Sequence, residues 1–76
     1  MDMLLTPESD GKTWRLTDLL GRSMGTIVQK SPGDFVLEPE GKAQETMNAL
    51  PFHGYKSLDD VLARIEKHTR GVCRRV

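Results

Sequence analysis

The feature that most constrains this chain is an apolar stripe near its C-terminus. Leu58, Val61, Leu62 and Ile65 fall at i, i+3, i+4 and i+7, one face of a 3.6-residue helix. Ser57 stands before the stripe as an N-cap, and Asp60, three residues on, resembles a capping box with Asp in place of Glu or Gln. Asp59 and Asp60 occupy the first turn, while Arg64, Lys67, His68 and Arg70 gather toward the end, the charge order a helix dipole favours. Gly71 is a natural stop. The spacing predicts a helix over residues 57–70, and its stripe needs an apolar surface to pack on.

The first half of the chain supplies that surface as strands. Thr13-Trp14-Arg15-Leu16-Thr17 alternates polar and apolar residues, the pattern of a half-buried strand. Met24–Lys30 contains Thr26, Ile27 and Val28, all of high β propensity, and Phe35-Val36-Leu37-Glu38 follows before Pro39 closes it. Between them Pro32-Gly33 suits a type II turn, because proline presets φ and glycine accepts a positive one. With those two residues as the loop, Lys30 faces Phe35 and Val28 faces Leu37. The helix-covered face then holds Trp14, Leu16, Val28, Phe35 and Leu37. The outer face holds Thr13, Arg15, Thr17, Ile27, Gln29, Val36 and Glu38.

The expectation is an α+β fold: a three-stranded antiparallel β-sheet with a C-terminal α-helix packed on one face. Residues 1–12 are read as a flexible N-terminus, residues 13–72 as a single domain and residues 73–76 as a basic tail. Leu19–Ser23 is a connection whose Gly21, with Gly25 beyond it, signals a turn or bulge. Residues 43–50 have room for two helical turns before Pro51, and Phe52 and Tyr55 are expected to form a lid over the sheet edge.

Composition excludes several function classes. The 76 residues allow one small domain, and 11 basic residues balance 11 acidic ones. No apolar run approaches the ~20 residues of a membrane span. Met1–Pro7 has neither the basic region nor the apolar stretch of a secretory signal. A single cysteine makes no internal disulfide, which fits a reducing compartment, so the expectation is a cytoplasmic protein with no membrane association.

Chemistry-bearing patterns are sparse. His68 and Cys73 have no zinc-motif spacing, so neither metal nor cofactor is expected. Arg70, Arg74 and Arg75 around Cys73 would depress its thiol pKa, but no glycine-rich turn or oxyanion donor accompanies it, and no enzyme activity is expected. Gly21-Arg22-Ser23-Met24-Gly25 lacks the phosphate-loop pattern. The outer sheet face offers Arg15 and Gln29, types that contact phosphates and bases, yet the net charge of zero is a weak electrostatic footprint for nucleic acid. Residues 1–40 carry seven acids and four bases, residues 41–76 four acids and seven bases, so the basic excess lies away from that face. Ile27 and Val36, neighbours there, form either a partner surface or a patch that Met47–Leu50 folds over. The resulting reading is a non-catalytic protein-interaction module or small homo-oligomer, binding an unknown protein partner through Arg15, Ile27, Gln29 and Val36. The alternative is a nucleic-acid-binding module using the same outer face.

Three pieces of sequence carry a resemblance: Gly21-Arg22-x-x-Gly25-x-Ile27, then Ser57-Leu58-Asp59-Asp60-x-Leu62-x-x-Ile65-Glu66-x-His68-Thr69, then Gly71-x-Cys73-Arg74. In these the chain resembles a group of small uncharacterised bacterial proteins. The resemblance implies a free-standing cytoplasmic protein and no particular activity. The sheet-plus-helix outline is also similar, in element order alone, to the DNA-binding domains of some integrases.

Overall fold

A five-stranded sheet carries the fold, seen in a computed structural model that describes residues 2–75, the side chains of Lys42 and Thr46 excepted. Its strands are β1 (Met3–Pro7), β2 (Thr13–Asp18), β3 (Ser23–Ser31), β4 (Asp34–Pro39) and β5 (Cys73–Arg75), in the order β4-β3-β2-β1-β5. The first four form an antiparallel meander, and β5 returns parallel to β1. A parallel return needs a long crossover. Here it holds α1 (Lys42–Thr46) and α2 (Leu58–Thr69). The class is α+β, as the sequence predicts, with two strands more than expected.

The extra strands come from the chain's two ends. The stretch read as a flexible N-terminus contains β1, where Met3 and Leu5 are buried against the helix side of the sheet. The stretch read as a basic tail contains β5, paired through Met3↔Cys73 and Leu4↔Arg74. Each is short: β1 pairs with the neighbouring β2 but lacks period-two alternation, and β5 pairs with β1 from the far end of the chain, so local pattern gives little signal for either. Met1 and Val76 lie outside the described residues.

The Pro32-Gly33 turn forms as predicted, with Ser31 opposite Asp34. A bulge then follows: Gln29 pairs with Phe35, leaving Lys30 as the extra residue. Because side chains alternate with period two, this one residue exchanges the faces of β3 beyond it. Ile27 pairs with Leu37 and is 0% exposed, where the sequence reading put it outside. Gln29 moves to the helix-covered face with Phe35, and Val28 moves out to face Val36. A second bulge, between β2 and β3, passes from Leu16↔Gly25 to Thr17↔Ser23 and turns Met24 into the core. Gly25 (φ 133°) is required there, since a Cβ on it would lie 2.4 Å from the Glu38 carbonyl oxygen.

One core joins sheet and helices: Met3, Leu5, Leu16, Ile27 and Leu37 meet Val61, Leu62 and Ile65 of α2, with Ala43 of α1 and Met47 beyond it. Trp14 packs beside it, its ring centroid 5.9 Å from that of Phe35. The α2 cap forms as expected, Ser57 Oγ accepting from the Asp60 N–H at 3.1 Å. The Asp60 carboxylate reaches one residue further back than a capping box, accepting from Lys56 N–H at 3.3 Å. Arg70, not Gly71, takes the left-handed C-cap (φ 57°).

Both sheet edges are covered in part. The lid segment lies along β4: Phe35 N–H donates to the Tyr55 carbonyl at 2.8 Å and Leu37 N–H to the Phe52 carbonyl at 2.6 Å. At the other edge, Cys73 N–H donates to Glu66 Oε2 at 2.9 Å, and the strand is only three residues long. A short, arginine-bearing, capped edge resists pairing with another chain.

Candidate functional site

The sheet face opposite the helices is open among the described residues. Register places its side chains in rows: Arg74–Leu4–Thr17–Ser23, then Thr6–Arg15–Thr26–Glu38, then Thr13–Val28–Val36. Of the four expected partner-binding residues, Arg15 and Val36 lie on this face, while Ile27 and Gln29 lie on the other. The face is close to neutral. Arg15 pairs with Glu8 at 3.1 Å, and Glu38 stands in the same row. Leu4, Val28 and Val36 are half-buried between threonines and charged chains, the surface of a solvated sheet.

The most exposed apolar side chains lie elsewhere, at the β2–β3 hairpin end. Asp18, at the end of β2, organises the connection. Its Oδ1 accepts from the Leu20 and Arg22 N–H groups, both at 2.9 Å, and its Oδ2 accepts from Arg22 Nε at 2.7 Å. The backbone closes the same loop, Asp18 N–H donating to the Arg22 carbonyl at 3.0 Å and Gly21 N–H to the Asp18 carbonyl at 3.1 Å. The Arg22 backbone N–H, aided by its guanidinium and by Leu20 N–H, holds the Asp18 carboxyl below its ordinary 3.8 against the opposing effect of burial. Gly21 (φ 84°) supplies the left-handed residue.

This scaffold lifts Leu19 and Leu20 into solvent, 63% and 81% exposed. Beside them is a cleft of about 420 Å³, floored by Met24 and walled by the leucines, Ser23 and Asp2. Asp2 Oδ1 accepts from the N–H of Val72, another exposed apolar residue, at 3.0 Å. The sequence identifies Leu19–Ser23 as a connection with a turn or bulge, without its exposed leucines. The signal available was two leucines between an Asp and a Gly, in positions where turns carry polar residues.

A second, smaller cleft of about 230 Å³ lies between the lid and α2, with Tyr55, His53 and Arg64 among its walls. The Tyr55 hydroxyl donates to the Pro51 carbonyl at 2.6 Å, and burial raises its pKa. Cys73 departs from expectation. Burial, then the Glu66 and Asp2 carboxylates, push its thiol up to about 11, against the depression expected from its arginine neighbours. Arg75 instead pairs with Asp59, and Cys73 shares the helix side of the sheet with Met3. Among the described residues no three or more His, Cys, Asp and Glu side chains gather where they could hold a metal ion. Nor is any described helix long and apolar enough to cross a membrane.

Comparison with protein-family models, curated proteins and solved structures finds no match to this chain.

Proposed function

We propose that this chain is a non-catalytic protein-interaction module whose contact surface is the β2–β3 hairpin end. One observation carries the reading: Leu19 and Leu20 are exposed at 63% and 81% on a loop that Asp18 and Arg22 already hold in shape. A loop held in its bound form loses little conformational freedom on docking. An aliphatic anchor beside a cleft is an arrangement on which a protein contact can be built. The non-catalytic part is supported by Cys73, whose thiol at about 11 is a poor nucleophile, and by Tyr55, whose hydroxyl is committed to Pro51. The open sheet face, with Arg15 tied to Glu8 and Glu38 in the same row, gives no support to a nucleic-acid module.

The test is site-specific photo-cross-linking in cells, with benzoylphenylalanine at position 20 or, as a control, at position 15. Discrete protein adducts from position 20, lost on adding Leu19→Ser and missing from position 15, are the expected result. No adduct from position 20 overturns the reading. So does tight, salt-sensitive binding of random-sequence DNA that Arg15→Ala abolishes.

A further inference from the structure

The hairpin end holds two complementary halves side by side, a protruding leucine pair and a cleft that the same leucines help to wall. We propose that its occupant is a second copy of this chain, docked about a two-fold axis so that each Leu19–Leu20 tip enters the other protomer's cleft. This rests on the interaction-module reading above and names its partner.

Shape is the first support. A two-fold contact uses one patch on both copies, so that patch must be complementary to itself. A protrusion adjoining a hollow meets that condition, whereas a lone protrusion needs a foreign pocket. The hollow is large enough: an apolar cavity of roughly 150 Å³ holds a benzene molecule, and this cleft is about 420 Å³.

Charge is the second. Arg22 reaches Asp18 through Nε, and its side chain is 67% exposed. Asp2 brings a carboxylate to the same cleft. A patch that carries both Arg22 and Asp2 is complementary to itself in charge, able to set unlike charges together in both halves of a two-fold contact.

Area sets the strength. A standard interface takes about 800 Å² from each partner, about one sixth of the 4821 Å² this chain exposes. Seven residues line the cleft, against the roughly 20–30 a side of a standard interface, so the dimer belongs with weak, reversible contacts.

The test is sedimentation of the full chain from about 5 to 500 µM, a range suited to small interfaces. The weight-average mass is expected to climb toward twice 8.5 kDa. Leu20→Asp, at a site too exposed to disturb folding, is expected to raise the dissociation constant by roughly tenfold or more. In a Cys73→Ser background, Leu20→Cys is expected to oxidise quickly to a covalent dimer, while Thr6→Cys on the open face does not. A monomer at every concentration, or equal oxidation of the two cysteine variants, overturns the second-copy occupant. A position-20 adduct to a different protein does the same yet leaves the interaction module standing, and no adduct removes both. Leu20-dependent binding to anionic phosphatidylglycerol vesicles by a chain that stays monomeric also overturns the proposal.

Discussion

The two ends of β2 carry the same turn device with opposite contents. At one end Asp10 accepts from the N–H groups of Lys12 and Thr13 at 2.8 and 2.9 Å and from Thr13 Oγ1 at 2.7 Å, with Gly11 at φ 71°. At the other, Asp18 accepts from Leu20 and Arg22, with Gly21 at φ 84°. In both, an aspartate is satisfied by backbone donors two to four residues on, the Asx arrangement that nucleates turns. The first loop displays Ser9, Gly11 and Lys12, the second Leu19 and Leu20. The device therefore works without leucines. Their presence at one end is not a requirement of the turn.

Both loops hang from one sheet whose register the bulges set. The largest effect tests that. Ile27→Ala is expected to cost about 2–5 kcal/mol in urea unfolding, as for other fully buried aliphatics, while Val36→Ala costs under ~1 kcal/mol. The reverse order would mean that Lys30 does not bulge and that the faces are exchanged. Next comes Gly25→Ala beside the leucine loop. Its new Cβ meets Glu38 backbone and φ is positive, so a loss of about 1–3 kcal/mol is expected from crowding, with backbone strain added. A neutral Gly25→Ala would show that the second bulge is not needed to turn Met24 inward.

Acid should affect the two loops alike. Asp10 is held below 3.8 chiefly by the Lys12 N–H, Asp18 chiefly by the Arg22 N–H. A carboxyl lowered in the folded state contributes stability above its unfolded value, and that contribution is lost as pH falls through the folded value. Amide resonances of Lys12 and Thr13, and of Leu20 and Arg22, are therefore each expected to shift below pH 3.8. Asp10→Asn and Asp18→Asn should each remove one half of that response. A single loop titrating alone would break the parallel.

The smallest expected effect is the sharpest for function. Leu19→Ser and Leu20→Ser should change stability by no more than about 0.5 kcal/mol either way, as exposed sites do. A loss above ~1 kcal/mol would place the leucines in the fold and remove the reason for a partner.

Local chemistry alone determined α2, because its stripe, its Ser57 cap and its charge order all lie within fourteen consecutive residues, 57–70. It also determined the Pro32-Gly33 turn, the strands β2, β3 and β4, and the lid at Phe52 and Tyr55. What tertiary structure decided was everything that depends on a count along two strands at once. One unpaired residue at Lys30 put Ile27 inside and Val28 outside, and dispersed the expected site of Arg15, Ile27, Gln29 and Val36 over both faces. A strand's side-chain period is two, so a single extra residue reverses every later assignment, and a bulge that polar and β-branched residues tolerate leaves no mark in composition. Different limits hid β1 and β5. β1 pairs with the nearby β2, but Met3-Leu4-Leu5 before Pro7 lacks the alternation that marks a strand, whereas Cys73-Arg74-Arg75 pairs with β1 across most of the chain's length.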